Sequence, residues 1–110
     1  MMSVTRPEYY SVYVTCPDKT LALQLGHTAV SERLAACANI LEGMTSVYAW
    51  EGRIVEDQET VLLLKTTADQ APALVRRLAD LHTYATPCIL TLPVLDGHPP
   101  YLQWLRAAVG

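Results

Sequence analysis

The first third of the chain changes from a two-residue hydrophobic period to a helical one. Apolar and polar residues alternate along residues 9–16, which predicts a β-strand. Asp18 suits a helix N-cap, and apolar residues at helical spacing then predict a helix over residues 19–36. Gly26 lies in the apolar stripe of that helix. Because glycine weakens a helix by about 1 kcal/mol relative to Ala, close packing on a sheet is the predicted reason for it.

The middle of the chain predicts a β-hairpin. Residues 46–50 and 53–67 have strand character, and the connection Glu51-Gly52 favours a tight turn because Gly adopts positive φ without steric cost. The second arm carries apolar residues on both of its faces, which is unusual for a strand at the rim of a small monomer. The hairpin therefore indicates that another surface covers the sheet.

The remaining segments complete an alternating order of strands and helices. Residues 37–41 predict an extended segment that breaks at Glu42-Gly43, where a bulge is expected. A second helix follows the hairpin, residues 87–94 predict a strand, and a last helix starts at Pro99. The order β-α-β-β-α-β plus a C-terminal helix is that of the ferredoxin-like α+β fold, an antiparallel sheet with helices on one face. A second copy of the chain is the predicted cover for the other face.

Composition and charge exclude several classes of protein. The 110 residues predict one domain, with residues 1–7 as an N-terminal tail. Hydrophobic residues make up 51%, which suggests burial against a partner, although a well-filled monomer core is the alternative. A net charge of −3 argues against nucleic acid or an anionic membrane as a partner. With neither a secretory signal nor a membrane-length apolar run, we expect a cytoplasmic protein with three reduced cysteines.

Several short motifs, in order, resemble the CutA divalent-cation-tolerance family. The first motifs read VYVTCPD at residues 12–18, ERLAACANI at 32–40 and SVYAWEG at 46–52. Further matches occur at residues 65–67, 82–84 and 92–94, at Asp96-Gly97, and at Tyr101 and Trp104. Each motif is weak alone, but the series covers about residues 10–109, so the chain is identified as a member of this family.

The resemblance implies a homotrimer in which long hairpins pack across subunits, and a connection to copper or other divalent metals. It implies no reaction, and the sequence lacks the common catalytic and phosphate-binding motifs, so we do not expect an enzyme. Two alternatives stay open. One is a PII-like module that binds a small anion or nucleotide between subunits, and the other is a structural scaffold for a partner protein.

The loop before the last strand departs from the family pattern. Relatives commonly read His-Pro-Tyr-Glu-Val-Pro-Glu there, whereas residues 82–88 read His-Thr-Tyr-Ala-Thr-Pro-Cys. Both carboxylates are missing and the thiol of Cys88 is new. The change argues against a hard-cation site built from those acids and leaves soft-metal chemistry open.

The predicted strand order 4-1-3-2, with the first and third strands taken as parallel, gathers candidate metal ligands at one rim. Cys16 and Cys88 are expected on neighbouring strands about 5 Å apart, close to His82. Cys37 is expected roughly 10 Å from Cys16, so it joins them only through another subunit. Thiolate and imidazole suit Cu(I) or Zn. The alternatives are core packing for the cysteines and a helix-terminal role for His82.

A second candidate site is a cleft between subunits. The resemblance draws attention to Glu59 and Lys65, which with Trp50 and Tyr84 could line such a cleft. Interfacial ion pairs and anchoring contacts are the alternative reading of these four residues. The acidic residues of the second hairpin strand are interpreted as a solvated face; they are Glu56, Asp57 and Glu59.

Overall fold

The computed structural model describes residues 6–110, so most of the predicted N-terminal tail (residues 1–7) lies outside the described residues. The elements are β1 (Tyr9–Cys16), α1 (Lys19–Ser31), β2 (Cys37–Trp50), β3 (Arg53–Thr67), α2 (Ala71–Leu81), β4 (Ile89–Val94) and α3 (Pro99–Ala108). This order confirms the predicted β-α-β-β-α-β pattern with a terminal helix. Within the described part of the chain, no helix is both long and apolar enough to cross a membrane.

The four strands form one antiparallel sheet in the order β2-β3-β1-β4, as the predicted order 4-1-3-2 requires. The prediction that the first and third strands run parallel is wrong. β1 and β3 are antiparallel, with Tyr9 opposite Thr67 and Cys16 opposite Thr60. The α1 crossover makes β1 and β2 run in the same direction, and the hairpin then reverses β3.

The core lies between one face of the sheet and the helices α1 and α2. Val12 and Val14 of β1 are fully buried there together with Leu62 and Leu64 of β3. A Cβ atom on Gly26 of α1 would lie 3.0 Å from the Cβ of Ala38, which confirms the predicted close approach of helix and sheet. The core therefore uses every second residue of the central strands.

The opposite face of the sheet carries Tyr13 and Thr15, and we call it the open face. Only one end of it is approached by a helix. The side chain of Arg106 in α3 donates to the Tyr9 hydroxyl (3.2 Å), and its guanidinium lies 5.2 Å from the centroid of the Tyr9 ring. The loop before β4 lies over another part of it, where Thr15 and its β3 partner Val61 are buried. Elsewhere on this face, Leu41, Leu90 and Leu92 are exposed in the described part of the chain.

Helix α1 ends earlier than predicted, at Ser31 instead of about residue 36. Arg33 adopts a left-handed φ of 59°, and the N–H of Leu34 donates to the carbonyl of Ala29 (2.9 Å). This is a Schellman-type ending, which is usually marked by glycine. The Arg33 side chain donates to the carbonyls of Ala107 and Gly110, and these contacts from α3 and the following residues hold the non-glycine turn in place.

The hairpin has the predicted tight turn and the predicted bulge. Glu51 and Gly52 have φ values of 50° and 78°, and the β2–β3 register shifts between Leu41 and Met44. Because β1 ends opposite Thr60, the paired residues 44–50 and 53–59 extend beyond the rest of the sheet as a two-stranded ribbon. We call residues 44–59 the hairpin arm; seven residue pairs span roughly 23 Å.

Candidate functional site

Cys16 and Cys88 lie on neighbouring strand positions, as predicted, but not on the same face. Cys16 is fully buried in the core under the helices. The N–H of Thr15 donates to the carbonyl of Cys88 (3.4 Å), and extending the β1–β4 register places Cys88 opposite Thr15 on the open face. The two thiols therefore do not form the predicted common site within this chain, because an offset of one residue turns a side chain to the other face.

Burial determines the chemistry of Cys16. Removal from water, followed in importance by the negative charges of Asp18 and Glu59, raises the pKa of its thiol from 9.0 to about 11. Metal ligation requires the thiolate. In this subunit Cys16 is therefore a protonated core side chain and a poor ligand at neutral pH.

Cys37 lies at the other end of the sheet, so its predicted place near the same rim is also wrong. It pairs with Lys65, whereas Cys16 pairs with Thr60 on the same strand, β3. Five residues along a strand correspond to about 17 Å. Its neighbour there is Tyr101 of α3, whose pKa is raised by burial and then by Cys37. The cause of the misplacement is the antiparallel β1–β3 pair, which puts the start of β2 beside the start of β1.

His82 is buried at the end of α2, with a relative exposure of 9%. Its Nε2 lies 2.9 Å from the carbonyl oxygen of Thr15, and the backbone N–H of Tyr84 donates to its Nδ1 (3.1 Å). Both ring nitrogens thus have backbone partners. A metal ion would have to displace one of these partners to reach the ring.

The predicted ligands do not fit a preformed metal site within one subunit. Among the described residues, no group of three or more His, Cys, Asp or Glu side chains is arranged to hold a metal ion. Cys16 and Cys88 point to opposite faces, Cys37 is remote, and His82 is occupied by the backbone. A metal site built from these residues needs ligands from a second chain or a rearrangement of this one.

A groove of about 800 Å³ lies on the open face where the hairpin arm leaves the sheet. We call it the carboxylate groove. Its walls are parts of β1, β2, β3 and the loop before β4, and its chemically distinctive side chains are Tyr48, Trp50, Asp57, Glu59, Tyr84 and Cys88. Strand alternation brings the two carboxylates together, because Asp57 and Glu59 are two residues apart on β3 and so share a face.

Each groove carboxylate accepts a hydrogen bond from a tyrosine. The Tyr84 hydroxyl donates to Glu59 (3.0 Å), and the Tyr48 hydroxyl donates to Asp57. The pKa of Tyr84 is raised by burial and then by Glu59, and that of Tyr48 is raised mainly by its bond to Asp57. None of the described lining residues is Lys or Arg. The groove therefore favours a cation over an anion.

The four residues predicted to line a cleft are only partly together. Trp50, Glu59 and Tyr84 line the carboxylate groove, whereas Lys65 pairs with Cys37 at the other end of the sheet and contacts Asn39. Tyr48 was not among the predicted site residues, and Asp57 was predicted only as part of a solvated acidic face. The alternation along β2 and β3 was the signal that could have placed both beside Glu59.

Comparison with known proteins decides the family. Residues 10–108 match the family described as CutA1 divalent ion tolerance protein. The chain belongs to the CutA1 family. It is 46% identical over 99 residues to the divalent-cation tolerance protein CutA of Thermus thermophilus, a match that covers 90% of this chain and 96% of that one. The resemblance to CutA is thus confirmed.

Solved CutA structures agree with the fold. CutA from Xylella fastidiosa superimposes with a TM-score of 0.91 at 39% identity, covering 94% of this chain and 99% of the other. A protein from Archaeoglobus fulgidus described as a periplasmic divalent cation tolerance protein gives a TM-score of 0.89 at 28% identity, with 93% and 99% coverage. The predicted α+β architecture is therefore confirmed for this CutA1-family chain.

Proposed function

We propose that this CutA1-family chain acts in divalent-cation tolerance as a cytoplasmic homotrimer that binds copper or another divalent metal ion and catalyses no reaction. The observation that carries the proposal is the apolar open face of the sheet. Leu41, Leu90 and Leu92 lie on it and are 58%, 54% and 45% exposed. Exposed apolar patches of this kind mark protein interfaces. Three copies are the assembly that the family resemblance implies.

The hairpin arm supports assembly independently. A two-stranded ribbon is at best marginally stable in water unless another surface packs on it. The arm nevertheless exposes Val47, Trp50 and Ile54, of which each is more than half accessible. Packing of the arm against a neighbouring subunit would bury these side chains and hold the ribbon in place.

The metal part of the proposal centres on the carboxylate groove. Cys88 is a partly exposed thiol there, and Asp57 and Glu59 line the same groove. Thiolate and carboxylate are ligands for divalent metals, and a neighbouring subunit would supply the missing donors. His82 is proposed as a further ligand after rearrangement, whereas Cys16 and Cys37 are less suited, one by burial and the other by position.

The acidic groove also bears on the two alternatives. A PII-like site for an anion or nucleotide needs cationic or backbone donors, and negative lining charges oppose such a ligand. A scaffold role would use the same exposed apolar surfaces without any metal. Metal binding and thermal stabilisation by a nucleotide therefore distinguish the two alternatives from the proposal.

Light scattering and copper titration test the proposal. We expect a particle of three times the 12.1 kDa subunit mass at micromolar concentration. Cu(I) competition with a chromogenic chelator under reducing conditions should show tight, stoichiometric binding that Cys88→Ser abolishes, whereas the matched control Cys37→Ser retains it. Cys16→Ser and His82→Ala complete the series.

Four results would contradict the proposal. A stable monomer would remove the assembly, and binding that survives all four substitutions would remove the metal site. A trimer that binds no metal but is thermally stabilised by a nucleotide would favour the PII-like alternative. A trimer with neither response would favour the scaffold.

A further inference from the structure

The loop between α2 and β4 is held to the sheet through one buried side chain. All four residues from Thr83 to Thr86 are exposed, whereas His82 is buried against the end of β1. Its Nε2 contacts the carbonyl oxygen of Thr15 at 2.9 Å, and its Nδ1 contacts the backbone nitrogen of Tyr84 at 3.1 Å. A single imidazole thus joins two separate stretches of backbone.

The chemistry of the two partners determines where the ring proton lies. A carbonyl oxygen can only accept a hydrogen bond, so Nε2 must carry the hydrogen. A backbone N–H can only donate, so Nδ1 must present its lone pair. The contacts therefore require the neutral imidazole in its Nε2–H tautomer, because any other form breaks at least one of the two hydrogen bonds.

The same ring also positions the wall of the carboxylate groove. The rings of His82 and Tyr84 lie with centroids 4.8 Å apart at an interplanar angle of 44°. The Tyr84 hydroxyl then reaches Glu59 on β3 at 3.0 Å. A continuous series of contacts thus connects the end of β1, through the loop, to a groove carboxylate.

We propose that His82 is a tautomer-locked positioning residue that fixes Tyr84 against Glu59, and that a metal ion reaches the imidazole only by breaking one of its two backbone hydrogen bonds. We call these two bonds the His82 latch. Metal ligation by His82 and an intact latch are then mutually exclusive. The metal clause deepens the proposed function and rests on it, whereas the positioning role stands on the contacts alone.

Nitrogen-15 NMR of the full chain tests the tautomer directly. We expect His82 to show a protonated Nε2 and an unprotonated Nδ1 at neutral pH. A dominant Nδ1–H form, or a rapidly exchanging mixture like that of a free imidazole, would overturn the proposal. Exposed His98, which makes no side-chain capping bond, is the internal reference for an unrestrained ring.

Two substitutions separate the bonds of the latch. His82→Gln retains a donor near the Nε2 position and loses the Nδ1 acceptor, whereas His82→Asn retains an acceptor near Nδ1 and loses the donor. We expect the Tyr84 amide to exchange with solvent roughly tenfold faster in His82→Gln, with a smaller increase in His82→Asn. His98→Gln is the matched control. Equal exchange in all four proteins would show that His82 does not hold the loop.

Zinc titration followed by NMR tests the metal clause. Zinc that shifts the His82 ring nitrogens should also release the Tyr84 amide or the Thr15 carbonyl contact, seen as faster Tyr84 exchange or loss of the Nε2–H signal. Zinc bound to the ring with both signals unchanged would overturn that clause. Failure of any metal to bind would count against the proposed function, while the tautomer and exchange results alone decide the positioning role.

Discussion

The helix-covered part of the sheet and the hairpin arm are made from the same strands but differ in what covers them. Leu62 and Leu64 of β3 are fully buried under α1 and α2. Eight residues before Leu62 on the same strand, Ile54 is largely exposed, as are Val47 and Trp50 on the paired strand β2. The alternating pattern is similar in both regions. The difference shows that burial depends on the surface that lies over a strand as much as on the strand itself.

This difference separates two sources of stability. Core side chains stabilise the subunit because the helices of the same chain remove them from water. Arm and open-face side chains gain that free energy only when a second chain covers them. Changes in the core should therefore act on folding, and changes in the arm should act on assembly.

The largest expected effect comes from the core. Leu64→Ala should lower the free energy of unfolding by about 2–5 kcal/mol, because it removes buried methyl groups and leaves a cavity. Leu92→Ala on the open face is the matched control, expected to leave the fold of the subunit intact and to weaken assembly. Denaturant unfolding measures the loss of stability in both variants. The protein concentration is kept the same, since the apparent stability of an oligomer depends on it. Equal losses would remove the distinction between the two regions.

The pH dependence of stability tests the burial of Cys16 in the helix-covered part of the sheet. Its pKa is raised from 9.0 to about 11 in the fold, so the unfolded chain loses its thiol proton first as the pH rises. The free energy of unfolding should fall between pH 9 and 11 by about 2–3 kcal/mol, at about 1.4 kcal/mol per pH unit. The control Cys16→Ala should lack this part of the decrease. Identical pH profiles would mean that burial does not keep Cys16 protonated.

Helix packing gives a somewhat smaller effect. Gly26→Val should cost about 1–3 kcal/mol, because a Cβ at this position already lies 3.0 Å from the Cβ of Ala38. The exposed Gln24→Val in the same helix introduces the same side chain without the clash. Comparing the thermal unfolding of the two variants isolates the cost of the close contact with Ala38. A cost for Gln24→Val as large as that for Gly26→Val would show that the clash with Ala38 is not the cause, since helix propensity by itself favours Val over Gly.

The smallest effect on the subunit is expected in the arm. Ile54→Thr should change the stability of the folded subunit by less than about 0.5 kcal/mol, because the side chain is largely exposed there. It should nevertheless shift the oligomer towards dissociation, as measured by light scattering over a dilution series. Circular dichroism checks that the fold is retained. An unchanged dissociation profile would show that the arm contributes nothing to assembly at this position.

Much of the fold was predictable because its signals are local. The Glu51-Gly52 turn, the bulge near Gly43 and the Asp18 N-cap were all predicted from residue type and position, and the structure confirms them. The end of α1 was missed because Arg33 takes a left-handed conformation usually adopted by glycine. Contacts to the carbonyls of Ala107 and Gly110 support it, and such distant contacts leave no local signal.

The candidate site was predicted less well, because it depends on faces and strand directions. Cys16, Cys37 and Cys88 all lie at or next to strand ends, which suggested one rim. The antiparallel β1–β3 pairing moves Cys37 to the other end of the sheet, and a one-residue offset turns Cys88 to the face opposite Cys16. Assigning each residue to a face from the alternation would have brought Tyr48 and Asp57 beside Glu59. The backbone partners of His82 could not be predicted in this way, since they come from residues distant in the chain and from the shape of a loop.

The sequence by itself determined the family, the order of the elements and the alternation that makes one sheet face apolar enough for a core, because these follow from residue type and spacing. Only the tertiary structure decided which thiol is buried and which lines a groove. It also decided that both ring nitrogens of His82 have backbone hydrogen-bond partners. A single strand offset exchanges the two faces of a sheet, and a hydrogen bond exists only when two distant atoms meet at the right distance and angle.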